Sequence, residues 1–379
     1  MRKLLSLLVT LVFFLSLHAE FINIGVFASK TVNSFDFSVR AGKYALFSES
    51  GKIKELDSKS SLSIKYIDGY VEVKENGQII GKYRKVNLMG VGWYNHFMVK
   101  STNPTGLERR FDDNLKIVAQ RNKMQLINNI DLDNYVAGVV EAEVGRKPRK
   151  EYFKLQAIIC RTYALANTEK HVVEGYNLCD EVHCQAYHGK TFFNNIIEAA
   201  MQTRGAVIVD SDIQLITAAF HSSCGGQTVN SEDVWSKSLY YLRSVKDTFC
   251  LSHKDATWQK EIDKNQWKSY LTARLPNTIS EKQYMNFHLA DRLKYFPESN
   301  LSFEELRGKF RLRSTYFNIQ ETENKVLLKG RGFGHGVGLC QIGAMEMAAL
   351  GYNYSEILHF YYSGVHIIDL SALDFFKED

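Results

Sequence analysis

Residues 330 to 348 read GRGFGHGVGLCQIGAMEMA: six glycines, a histidine and a cysteine, running into a helical pattern. Glycine loses more conformational freedom on folding than any other residue, so such a run implies close backbone approach or unusual dihedrals. A phosphate cradle is one reading. It lacks the Lys-Ser/Thr pair of a P-loop and the ribose-binding acid about 20 residues on. Two readings remain: a loop that lets His335 and backbone amides line a sugar cleft, or a purely structural turn.

At the other end, Arg2 and Lys3 precede an apolar run from Leu4 to Leu17, and Ala19 offers a cleavage site. Residues 1–19 read as a secretory signal peptide, too short to span a bilayer comfortably, with an uncleaved anchor as the alternative. The expected location is the periplasm or cell envelope, with no transmembrane segment in the mature chain. Losing Arg2 and Lys3 lowers the formal charge from +5 to +3. That excess is too small to argue for nucleic acid, though it suits an anionic envelope polymer. About 360 residues remain, enough for one large domain or two ordinary ones.

Between residues 20 and 125 the chain alternates apolar and polar residues in "FINIGVF", "YALF", "LSIKYI" and "GYVEVKENGQIIGKY". Asn76-Gly77 is a strong hairpin signal, so this region is expected to be β-rich. From 126 to 379 the texture mixes helix and strand. Leu132, Tyr135, Val136, Val139 and Val140 share one helical face, with Asp131 or Asp133 as N-cap and an end near Gly145. "EYFKLQAIICRTYALANTEK" is apolar enough to be central, and "FFNNIIEAAMQTRG" makes a third helix stopped by Gly205. "AVIVD" and "IQLITAAFHSS" look like strands. Residues 250 to 325 read as an insertion, with a helix at "NQWKSYLTARL". "LCQIGAMEMAALG" and "YSEILHFYYSGV" are helices, the second capped by Ser355. The class is α+β: a β-rich N-terminal region and a mixed core with a glycine-lined cleft.

Glu143 closes the first helix, where unpaired carbonyls oppose a carboxylate and raise its pKa, as a general acid requires. The alternative is a solvated glutamate, and Glu141 points to another side. In "CDEVHCQAYHG", Cys179, His183 and Cys184, with His171 or His188, supply the nitrogen and sulfur ligands of zinc; a Cys179–Cys184 disulfide is the other reading. Cys224 and Cys250 bracket the segment around Trp235, and a bridge there would stabilise by about 3 kcal/mol in the chain-entropy model. Cys160 and Cys340 read as buried thiols.

Together, "DNYVAGVVEAEVG", "KLQAIICRTYALA", "CQAYHG", "AFHSSCGGQT…DVW" and "GRGFGHGVGLCQIGAMEMA…YSEILHFYYSGV" resemble the SpoIID/LytB family of cell-wall proteins, in the family's order. The resemblance implies a peptidoglycan lytic transglycosylase, in some members acting on glycan stripped of stem peptides. It places the catalytic acid on Glu143, with Val144-Gly145 standing where the family has Met-Pro. It implies a structural zinc on His171, Cys179, His183 and Cys184, a full ligand set that counts against a catalytic metal. In a glycan groove Gln185, Ser222, Ser223, His335 and Gln341 would hydrogen-bond sugar hydroxyls, and Tyr187 or Trp235 would stack on rings. Gly225 and Gly226 would let the groove wall approach, and Arg161 and Tyr163 would orient Glu143. Part of the family enhances cell-wall amidases, so the alternative is a glycan-binding partner of an amidase that does not cut.

Overall fold

Alternation after residue 20 becomes sheet. The computed structural model describes residues 20–120 and 122–375, so the expected signal peptide lies outside the described residues. Eleven strands between Phe21 and Cys179 form one sheet. Its long strands Ser34–Ser48 and Lys85–Asn103 pair antiparallel and bury Phe35, Phe37, Phe97 and Val99. Tyr70–Glu75 and Gln78–Tyr83 form the expected hairpin, with Asn76 and Gly77 both at positive φ, 50° and 83°. Fold class and N-terminal texture follow the sequence reading.

One edge of this sheet sets up everything that follows. The strand Phe21–Val26 pairs antiparallel with Met124–Asp131, which runs directly into a helix, and parallel with the short strand Leu178–Cys179. A helix start and a cysteine-bearing loop are thereby fixed to the same sheet edge. The helix Leu132–Val144 (α1) is capped by the Asp131 carboxylate, which accepts the N–H groups of Asp133 at 2.9 Å and Asn134 at 3.2 Å. Its buried face is the one the periodicity identifies, and it ends at Gly145, φ 68°.

Helix Lys150–Ala166 (α2) is central, as its apolar content requires. Phe153, Ala157, Cys160 and Ala164 pack into the core beneath the large sheet. Tyr152, Leu155, Ile158 and Ile159 face a second core built from residues 208–250 and 337–365. The helix Asn194–Gln202 (α3) packs on α1 and α2, and Gly205 follows it at φ 73°.

Residues 257–331 carry a third core of their own around fully buried Trp267. A three-stranded antiparallel sheet of Thr257–Asp263, Lys325–Arg331 and Tyr316–Glu321 is covered by short helices, among them Lys264–Thr272. Its central strand runs into the glycine-rich stretch.

Two local expectations are corrected. Of "IQLITAAFHSS", only Phe220–His221 is strand, paired parallel with Leu339–Cys340; residues 213–219 form one isolated bridge, Val209–Leu215, and no ladder. The helix Tyr354–Tyr361 is capped by Asn353, not Ser355: its carboxamide oxygen accepts the Ser355 and Glu356 N–H groups, and Glu356 reaches back to the Asn353 N–H at 2.8 Å. Among the described residues no helix is long and apolar enough to cross a membrane.

Candidate active site

Glu143 lies in the last turn of α1, at the seam where its neighbour Val144 touches both the first and second cores. Its Oε1 accepts the Ala186 N–H at 3.1 Å. Burial pushes its pKa above the ordinary value, while the Ala186 N–H and nearby His188 pull the other way. Desolvation is therefore the main cause. Glu141 is different: it pairs with Arg146 at the surface, Nε to Oε1 2.6 Å.

The Ala186 N–H is aimed by the loop that leaves Leu178–Cys179. Asp180 is its anchor, with carboxylate oxygens accepting from Phe27 N–H at 2.7 Å, Ala28 N–H at 3.1 Å and Arg109 Nη1 at 2.6 Å. The loop then folds back, with Cys184 N–H donating to Glu181 O and Tyr187 N–H to Asp180 O. This return carries Ala186 to the end of α1.

The same loop gathers His171, Cys179, His183 and Cys184, whose ligating atoms all lie within 4.8 Å of one another. Cys184 Sγ is 3.4 Å from His171 Nε2, and His183 Nδ1 is 3.8 Å from each sulfur. Tetrahedral zinc with ordinary bond lengths separates sulfur and nitrogen ligands by about 3.6 Å. Glu174 sits 3.3 Å from His171 Nδ1, and this contact orients Nε2 toward the cluster. Donor chemistry and spacing both fit zinc. His188 stands outside this cluster, and Cys179 and Cys184 are free thiols.

Several residues placed in the site by the sequence reading, on the sugar or beside Glu143, are internal instead. Arg161 is fully buried; its guanidinium meets Asp133 at 2.7 Å and the carbonyls of Ala200 and Ala206. Asp133 also holds Arg204 at 2.5 Å, so this network locks α1, α2 and the end of α3 together. Tyr187 is buried, its hydroxyl donating to Asn128 Oδ1 at 3.0 Å and its ring against Tyr135, which leaves no face for a sugar. Ser223 is buried, with its backbone paired in both directions to Phe333.

The glycines serve that same pairing. A Cβ on Gly332 (φ 81°) would lie 2.7 Å from the Ser223 carbonyl oxygen, and one on Gly225 (φ 69°) 2.6 Å from the Arg331 carbonyl carbon. The close approach is of the chain to itself. His335 completes it: Nε2 donates to Phe220 O at 2.9 Å, Nδ1 accepts Val337 N–H at 3.1 Å, and the ring packs against Trp235. Burial lowers its pKa to about 4, so it is neutral at pH 7 and both ring nitrogens are occupied. His335 is a tie within the loop, not a wall of a sugar cleft.

The remaining candidates differ. Tyr163 is half-buried and its hydroxyl accepts from Lys170 at 3.3 Å. Ser222 and Gly226 are half-buried. Gln185 and Gln341 each bury an Nε2 with no partner among the described residues, which marks unspent donors on the cysteine loop and at the start of the helix Gln341–Ala349. The sequence reading missed the Ala186 N–H, because a backbone donor has no residue-type signature. It also missed Asp133 as an ion-pair centre.

The Cys224–Cys250 bridge is likewise corrected. The two sulfurs are 3.4 Å apart, beyond the bonded separation of about 2.05 Å, and all six cysteines are free.

The family model for Stage II sporulation protein, SpoIID, matches residues 120–209, which span α1, α2, the cysteine loop and α3. Stage II sporulation protein D of Bacillus subtilis is 27% identical over 72% of this chain and 85% of its own length. An uncharacterised protein of Brachyspira hyodysenteriae is 28% identical, covering 76% of this chain and 81% of that one. The amidase enhancer of Bacillus subtilis is 30% identical over 60% of this chain, but only 39% of its own length. These relatives, and a family match that takes in the helices and loop around Glu143, support a likeness of this chain to the SpoIID/LytB family of cell-wall proteins.

Proposed function

We propose that this protein is an exported lytic transglycosylase that cuts peptidoglycan glycan strands with Glu143 as its one acid and base. The observation carrying this reading is the Glu143 carboxyl: half-buried, with a raised pKa, and held by the Ala186 N–H beside the cysteine–histidine loop. Protonated Glu143 gives its proton to the oxygen joining MurNAc C1 to GlcNAc, and that C–O bond breaks with oxocarbenium character. The carboxylate then takes the proton of the MurNAc C6 hydroxyl, and O6 bonds to C1 to close a 1,6-anhydro ring. No water is consumed, so one carboxyl suffices where a hydrolase needs two. The Ala186 N–H steadies the carboxylate stage, while burial favours the acid stage.

His171, Cys179, His183 and Cys184 would hold zinc. Bound there, the ion supplies structural cross-linking of the loop, since four protein ligands complete its coordination. Tyr163, Ser222, Gly226 and Gln341 are the residues we assign to glycan contact, and Gln185 is too buried to join them.

Glycan strands stripped of stem peptides, incubated with the mature chain, are expected to yield anhydro-ended fragments by mass spectrometry. Glu143→Gln should abolish them. Wild-type protein that yields none, or a variant that still yields them, overturns the reading. Similarity to a protein named amidase enhancer favours one alternative, a glycan-binding stimulator of a cell-wall amidase. Stimulation of an amidase by Glu143→Gln, without anhydro products from the wild type, would establish it instead.

A further inference from the structure

A second cluster of metal-binding side chains lies in the second core, away from the cysteine–histidine loop. Cys224, Asp247, Cys250 and Cys340 are all completely buried, and their ligating atoms lie within 4.8 Å of one another. They come from three separate segments: the turn after Phe220–His221, the 247–250 turn, and the residue that opens the helix Gln341–Ala349. From this geometry we infer that the cluster is a second, structural zinc site with three thiolates and one carboxylate.

Spacing supports it. Cys224 Sγ stands 3.4 Å from Cys250 Sγ and 3.2 Å from Asp247 Oδ2. A tetrahedral zinc would set these at about 3.8 and 3.5 Å, so the side chains need to move apart by only a few tenths of an ångström.

The surroundings are those of thiolates. Backbone N–H groups donate to sulfur three times, each at 3.3 Å: Gly226 to Cys224, Cys224 to Cys340, and Gly343 to Cys340. The last makes Cys340 the N-cap of its helix, where the positive end of the dipole favours a charged sulfur. Asp247 is oriented as a ligand by two donors: Tyr361 OH donates to Oδ2 at 2.9 Å and Phe249 N–H to Oδ1 at 2.9 Å.

An unbalanced cation stands beside the cluster. Arg292 donates to Cys224 O at 2.7 Å, but its buried Nε and Nη1 have no acceptor and it joins no ion pair among the described residues. Its guanidinium lies over the Tyr316 ring, 5.3 Å to the centroid, yet two buried donors without an acceptor are costly unless negative charge is near, and a thiolate–metal cluster carries net negative charge. A bare Cys224–Cys250 disulfide would leave Cys340, its two N–H donors and the Tyr361–Asp247 bond without a purpose. The ion would fasten the 224–226 turn to the glycine-rich stretch and to the helix that presents Gln341.

The site does not depend on glycan cleavage, so its test avoids activity. Zinc is counted by elemental analysis in the full mature chain carrying Cys179→Ser and Cys184→Ser, which disables the first cluster. About one zinc per chain is expected to remain, and adding Cys340→Ala should remove it. Peptide mapping after denaturation in alkylating agent without reductant should find Cys224, Cys250 and Cys340 all alkylated. A disulfide among those three, or a folded first-cluster variant without zinc, overturns the proposal. Should the variants fail to fold, the peptide map of the wild type decides: three alkylated thiols sustain the site, and a disulfide ends it.

Discussion

At Glu143, burial and one backbone N–H pull the carboxyl in opposite directions, and burial wins. A carboxyl with a higher pKa folded than unfolded opposes folding once it ionises. Stability then falls as pH rises from the ordinary value of 4.5 through the raised folded value, and stays lower above it. Glutamine at this position is neutral throughout and keeps an oxygen for the Ala186 N–H. Glu143→Gln is therefore expected to melt about 2 °C above wild type at pH 7, with the gap closing below about pH 4. Thermal unfolding at both pH values checks this, and a variant less stable at pH 7 would show that the ionised carboxylate is welcome in the fold. Residue identity alone marked Glu143 as a candidate by its place at a helix end. It did not reveal the donor at Ala186, which exists only because Asp180 folds the loop back.

At the scale of elements, α1 and the cysteine loop are separate in sequence and joined by the sheet edge that starts both. The outer turns of the loop have little packing of their own: Val182 and His183 are exposed, and the 172–174 turn is exposed too. Metal on His171, Cys179, His183 and Cys184 should therefore hold its shape. Chelation is expected to speed amide exchange several-fold across residues 178–188 while α2 stays protected, as hydrogen-exchange mass spectrometry would read. Unchanged exchange in that loop would remove the structural role from those ligands. Helices were legible here because periodicity and caps are local. The glycine run was half legible: it announced close approach, but the approached surface is the chain's own 223–225 backbone, contributed from over a hundred residues away.

Over the whole molecule, α2 divides two cores, and residues 257–331 add a third around Trp267. That third core shares few apolar residues with the others, so it should open independently. Trp267→Ala is expected to cost about 3–5 kcal/mol locally and expose 257–331 to exchange before α1 or α2 loosens. Uniform loss of protection would mean that the three cores melt as one. The sequence by itself determined what depends on neighbours along the chain: the alternating strands, the Asn76-Gly77 hairpin, the faces of α1 and α2, and a glutamate at a helix end. Only the tertiary structure decided which side chains meet, turning Arg161, Tyr187 and His335 inward and drawing the distant Cys224 and Cys340 to Asp247 and Cys250. Such contacts depend on how buried polar groups find partners across the fold, and no spacing along one chain records that.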